Sequence, residues 1–264
     1  MKKKDRPVVP TLGICKLTGV PGRFAKSHLL PRALTHLNSK GEKRLETEIG
    51  KPIKRRADSW YDQQLVSDEG EAILSDIDSA GIEALRKNRL IWSGWDAEVD
   101  QGWTAGVRMA TLAAPSAIQL FFLSLVWRAA ASSRPEMALV ELEPELLEDL
   151  RMRVLTKTPG QCWDYPLVLH QLITKGFAHN RAPILEFEPG PPLRNGKSSM
   201  MRRVRVYIDG LVGQLYLPGQ AEVSEEFLRS CTVGGGDLQT TIFAHTFEKS
   251  RAYANVVEMV RYYG

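Results

Sequence analysis

Residues 25–34 read AKSHLLPRAL, with one histidine, His28, set between a serine and an apolar pair and a proline three residues later. An imidazole in that setting has three uses: general base, metal ligand, or hydrogen-bonded core residue. Just upstream, residues 15–19 read CKLTG, a lone cysteine followed by a turn glycine. Cations gather around both stretches. Lys16, Arg23, Lys26 and Arg32 form one patch, and Lys51, Lys54, Arg55 and Arg56 form a second. Such patches attract phosphates by releasing counterions. They also occur as plain solvated surface, paired with nearby acids. Other chemistry is harder to build. His170, His179 and His245 have no carboxylate or cysteine at helical ligand spacing, and His245 reads as structural within a helix. No serine sits in a nucleophile-elbow pentapeptide. The run Gly234–Gly236 lacks the Lys-Ser/Thr of a phosphate loop and reads as a connector. Cys162 and Cys231 read as buried thiols.

The elements that must position these groups follow from composition and pattern. With 264 residues, 43% of them hydrophobic, the chain can bury a sizeable core. Three widely separated cysteines make no disulfide framework and fit a reducing cytoplasm. The first sixty residues carry fifteen Lys/Arg against five Asp/Glu, whereas residues 61–100 carry three against ten. The basic start lacks the apolar run of a secretory signal. Met109–Trp127 is nineteen residues without a charge, long enough for a bilayer. Its Thr111, Pro115, Ser116, Gln119 and Ser124 point instead to a helix buried inside the protein and opened by Pro115. The expectation is therefore no membrane.

Residues 68–88 read as a helix with acids at its start and bases at its end, matching the helix dipole, and Gly81 leaves room for a break. Further helices are expected near 115–132 and 141–155. Trp92, Trp95 and Trp103 suit an irregular packed connection. Residues 164–177 fit a strand or a short helix. Alternating residues at 182–189 and 202–218 predict strands, with a hairpin turn at Asp209–Gly210. A last helix is expected from Asp237 to Tyr262. No internal repeat is present.

In the first half of the chain the sequence resembles HNH-type endonucleases. Those proteins carry a Cys-x-x-Cys-Gly knuckle, a Ser-His-Ile-Ile-Pro segment and a later Cys-x-x-Cys-Glu element that opens a helix. The corresponding stretches here are CKLTG (15–19), KSHLLPRAL (26–34) and LVSDEGE (65–71), followed by FFLSLVWRAAASSRPEM (121–137). The resemblance implies a ββα-metal or treble-clef head. In it four thiolates would hold zinc at about 2.3 Å and the histidine would act as general base on water. The departures are specific. The four thiolate positions read Cys15, Thr18, Ser67 and Gly70, so no structural zinc is expected. Gln63, beside Asp62, stands where the family has Asn, and acids including Glu71, Asp76 and Asp78 stand where it has a second His.

The resulting expectation is an α+β protein. A degenerate HNH-like head (1–90) joins a helical middle and a small antiparallel β unit with a C-terminal helix (91–264). Its expected role is nucleic-acid binding, DNA before RNA, or binding of a nucleic-acid-handling protein, in a phage or bacterial-conflict context. Two alternatives stand beside it. One is a Mg²⁺- or Mn²⁺-dependent nuclease with His28 as base and Asp62, Glu71 or Asp76 on the metal. The other is a protein-binding inhibitor or interaction module on an inactivated scaffold. The missing thiolates make one prediction. Elemental analysis of the purified protein finds well under one zinc per chain, and a stoichiometric zinc would contradict the reading of Thr18, Ser67 and Gly70.

Overall fold

The structure is a computed structural model. It describes residues 11–35, 44–47, 54–56, 58–95, 103–176, 179–192, 198–218, 231–235 and 239–250, with positions 229, 253, 254, 257 and 261. Its fold is mixed α+β. Two short antiparallel pairs open the chain: β1 (Leu12–Ile14) with β2 (Pro21–Arg23), and β3 (Ser27–His28) with β6 (Tyr61–Asp62). Helix α1 (Arg32–Thr35) follows β3 directly. Between β3 and β6 the chain forms β4 (Arg44–Thr47) and β5 (Lys54–Arg56), and β4 pairs in parallel with β9 (His179–Arg181).

Helix α2 (Asp68–Lys87) starts at Ser67, whose hydroxyl accepts from the Gly70 N–H. It runs straight through Gly81. That glycine is a contact point rather than a break, because a Cβ there would lie 2.4 Å from the Phe121 Cβ. Phe121 belongs to α3 (Pro115–Ala131), which has Pro115 in its first turn and is buried from Ile118 to Ala129. Burial on all sides explains why α3 shows no amphipathic stripe. On another side of α3, Phe122 occupies the space that a side chain at Gly213 would need. Helix α4 (Pro144–Leu155) packs on both α2 and α3.

The remaining strands are β7 (Gly106–Ala110), β8 (Leu167–Leu172), β10 (Ile184–Pro192), β11 (Ser198–Ile208), β12 (Leu211–Tyr216) and β13 (Thr240–His245). They form one sheet in the order β10-β11-β12-β8-β13-β7. The β11–β12 turn has φ 42° at Asp209 and 83° at Gly210, the doubly positive geometry expected for Asp-Gly. Val204, Val206, Leu211, Leu215, Leu167, Leu169 and Ile242 are fully or almost fully buried and share one hydrophobic cluster with α3 and with Cys15, Leu29 and Leu65 of the head.

Two expectations are corrected here. The sheet is six-stranded and mixed, not a small antiparallel unit, since β13 runs parallel to β8 and antiparallel to β7. Residues 240–245 are strand where a helix was expected from Asp237. The segment TTIFAH is rich in β-branched and aromatic residues, and its ladder partners on both sides are distant in sequence. After β13 a 3₁₀ turn spans Phe247–Lys249, and α-helical backbone follows at positions 253, 254, 257 and 261 among the described residues. No helix among the described residues is long and apolar enough to cross a membrane.

Gly81 yields a test of packing against propensity. Replacing Gly by Ala in a helix normally stabilises by about 1 kcal/mol. At Gly81 the Phe121 contact predicts the opposite sign, a net loss within the ~1–3 kcal/mol range of overpacked cores. Urea denaturation of Gly81→Ala checks it.

Candidate functional site

The knuckle forms without a metal set of sulfurs. The Cys15 N–H donates to Val20 O at 3.0 Å, the Gly19 N–H to Cys15 O at 2.8 Å, and the Thr18 N–H to Cys15 Sγ at 3.4 Å. It is sewn to the segment before α2 by Lys16 N–H to Leu65 O (2.9 Å) and Ala25 N–H to Val66 O (3.0 Å). Arg151 of α4 donates to Leu17 O at 2.5 Å. Around the sulfur, the four positions singled out in the sequence meet. A Cβ on Gly70 would lie 2.8 Å from Cys15 Sγ. Burial pushes the Cys15 thiol up, but hydrogen bonds from Thr18 and Ser67 outweigh it and hold the thiol below its ordinary value.

His28 ends β3 opposite Tyr61, on a two-stranded finger beside α2. Its Nε2 lies 3.0 and 3.1 Å from the two carboxylate oxygens of Asp58. With Nε2–H donating to Asp58, the Nδ1 lone pair is the basic end of the neutral ring. Lys26 Nζ reaches Asp58 at 3.4 Å and stands 4.1 Å above the Tyr61 ring. Burial pushes the Asp58 carboxyl up. The hydrogen bond and charge of His28, with Ser59 and Lys26, more than reverse this and leave it below the usual carboxylate value. Its contribution to stability is therefore complete above the ordinary carboxylate pKa and is lost as pH falls through the lower folded value.

The histidine opens on a cleft of about 880 Å³ bordered by Arg32, Glu71, Ser75, Asp78, Arg86 and Lys87. Arg128 of α3, bonded to both His28 and Asp78 of this lining, has a side chain only 1% exposed. Arg128 donates to His28 O at 3.1 Å and to Ser124 Oγ at 3.1 Å, and forms a two-pronged pair with Asp78 of α2. Beside it, Glu71 Oε2 is buried without a hydrogen-bond partner. Burial raises the Glu71 carboxyl above its ordinary value, against the pull of the Arg128 and His28 charges.

Several nominated residues are placed elsewhere. Asp62 is buried and accepts from Gln64 N–H at 2.8 Å and from the Ser132 hydroxyl at 2.7 Å, so it ties β6 to the end of α3. Asp76 is on the outside, paired with Lys157 at 2.6 Å. Of the three carboxylates nominated for Mg²⁺, only Glu71 faces the cleft, while Asp62 and Asp76 are held elsewhere. Among the described residues no three His, Cys, Asp or Glu side chains gather as a metal-binding group. This donor set does not fit the divalent ion that the resemblance implies.

The cations are also divided. Arg32 lines the cleft, and Lys26 is held by Asp58 and the Tyr61 ring next to His28. Lys16 donates to Ala131 O at 2.6 Å, at the end of α3, and Arg23 pairs with Asp68 at 2.6 Å. Lys54 is exposed on β5. Arg55 and Arg56 extend that strand, with side chains outside the described residues, as is Lys51. Cys162 and Cys231 are half-buried rather than buried. The sequence reading missed Asp58 and the roles of Arg86, Lys87 and Arg128. Arg128 carried a signal: it is the sole charge in a helix otherwise uncharged, and a buried arginine requires a carboxylate partner.

Compared with known proteins, the chain matches no family model, no curated protein and no solved structure.

Removing Arg128 leaves the Asp78 carboxylate and the His28 carbonyl without their donor. Arg128→Met is expected to cost about 3–5 kcal/mol, and Arg128→Met/Asp78→Leu to recover part of that loss. Denaturant unfolding of the wild type and both variants measures the difference.

Proposed function

We propose that this chain is a nucleic-acid-binding protein with a degenerate HNH-like head, and that it holds a phosphodiester backbone along the His28 cleft without metal-dependent cleavage. The observation that carries this reading is the His28–Asp58 pair on a two-stranded finger, facing a cleft whose rim cations come from two elements: Arg32 from α1, and Arg86 and Lys87 from α2. The meeting of Cys15, Thr18, Ser67 and Gly70 supports descent from a metal knuckle. Hydrogen bonds to the sulfur stand in for the metal there.

The role of each group follows from its chemistry. Arg32, Arg86 and Lys87, with Lys26 beside Asp58, supply phosphate contacts that carry little sequence information. Asp58 fixes the imidazole, and the ring offers hydrogen bonding to a phosphate oxygen or sugar. Arg128 holds the strand that presents His28 and touches no ligand itself. Donors aimed at phosphate act through charge, so the affinity must depend on salt. DNA and RNA both present the backbone, and duplex DNA is the first substrate to test.

A mobility-shift titration of the whole chain tests the reading. Four phosphate contacts predict a slope of about −3.6 for log K against log salt, or roughly a hundredfold loss from about 50 to about 200 mM. Arg32→Ala should lower that slope by roughly one unit. No plasmid nicking is expected with Mg²⁺ or Mn²⁺. Nicking that disappears in His28→Ala would support the nuclease alternative instead. Absence of any shift with DNA or RNA at low salt would leave the protein-binding module as the better account.

A further inference from the structure

A second concave site lies on the sheet and shares no lining residue with the His28 cleft. Along β11, Val204, Val206 and Ile208 face the core, so Arg203, Arg205 and Tyr207 face the other way. The same alternation puts His170 of β8, Gln214 of β12 and His245 of β13 on this face. With Arg181 and Lys249 they line a cavity of about 310 Å³, a size common for small-molecule sites. The lining includes four cationic side chains, two imidazoles and no carboxylate.

The acids of this region stand outside the lining and hold the arginines in place. Glu188 of β10 pairs with Arg203 at 2.5 Å, and Glu186 reaches Arg203 at 3.4 Å and Arg205 at 3.0 Å. Gln214 Oε1 accepts from Arg203 Nη1 at 3.0 Å. The Arg203 side chain is 15% exposed, and its Nε is buried without a hydrogen-bond partner. His170 Nδ1 lies 3.2 Å from His245 Nε2, with the two rings stacked 5.4 Å apart. Burial, then the charges of His245, Arg203 and Arg205, push the His170 imidazole down to about 4. The lining's four cationic side chains against the two carboxylates behind them leave the cavity with an excess of positive charge. A buried donor without a partner in such a region is the complement of an oxyanion.

We propose that this cavity binds a small phosphate-bearing ligand, with the phosphate seated between Arg203, Lys249 and the His170–His245 pair. Guanidiniums pre-positioned by Glu186 and Glu188 lose little freedom on binding, and Arg181 and Lys249 add charge at the rim. The site is separate from the His28 cleft and does not depend on the reading of that cleft.

The test is isothermal titration calorimetry on the whole chain at low ionic strength, first with inorganic phosphate and then with adenosine monophosphate, with chloride as the control for bulk charge. Saturable one-site phosphate binding is expected. Lys249→Ala and His245→Gln, both at exposed positions, should each weaken it by about tenfold, the effect of losing one charged hydrogen bond. Tighter binding of adenosine monophosphate than of phosphate identifies a nucleotide-type ligand, and equal binding identifies the free anion. Chemical-shift changes on His170 and His245 locate the ligand whatever the variants do. The proposal is overturned if neither probe binds, if chloride competes at equal concentration, or if binding survives both substitutions unchanged.

Discussion

Arg128 is the charge around which the head is assembled. It is nearly inaccessible to water, and it gathers Asp78 from α2, the His28 carbonyl from β3 and Ser124 from its own helix. A guanidinium removed from water needs partners inside the protein, and here both Nη atoms find them while Nε is buried without a hydrogen-bond partner. That requirement sets the distance between two helices and the end of the short strand presenting the imidazole. Two-residue strands such as β3 and β6 have little ladder energy of their own, so the position of His28 is held from behind by α3.

The knuckle shows a second solution to the same kind of problem. A tetrahedral metal site organises four chain positions through strong, directional bonds. Here Cys15, Thr18, Ser67 and Gly70 converge without such bonds: the forces are backbone hydrogen bonds, hydrogen bonds from Thr18 and Ser67 to the sulfur, and close packing of Gly70 against it. Gly70 has a packing reason to be glycine, as does Gly81 where α2 touches Phe121. The head therefore reaches its shape through many weak local contacts, and its cleft is lined by oxygen and nitrogen groups with no gathered ligand set among the described residues.

Local signals were legible in the sequence. Pro115 opens its helix, acids crowd the start of α2, and the Asp-Gly pair makes the expected hairpin. Long-range choices were not legible. Residues 240–245 become strand because β8 and β7, well over a hundred residues away in the case of β7, provide ladder partners on both sides. Strand β7 follows the uncharacterised-looking stretch after the tryptophans and is recruited by β13. At the site, His28 stood out by type and by its neighbours, whereas Asp58 lies thirty residues away in the chain. The carboxylates nominated for a metal illustrate the limit: proximity in sequence to a strand or helix start did not decide which way Asp62 and Asp76 point.

Two regions carry the cations proposed to meet anionic partners: the His28 cleft, where Arg32, Arg86 and Lys87 stand among Glu71, Asp78 and Glu83, and the sheet face. Histidines mark both, and only five occur in the chain. Imidazole resonances recorded while a short DNA duplex is titrated into the whole protein therefore separate them in a single experiment. The account predicts that the His28 signals move and saturate with the binding curve while those of His170 and His245 stay in place. Duplex binding that moves only the sheet histidines, leaving His28 unchanged, would contradict it.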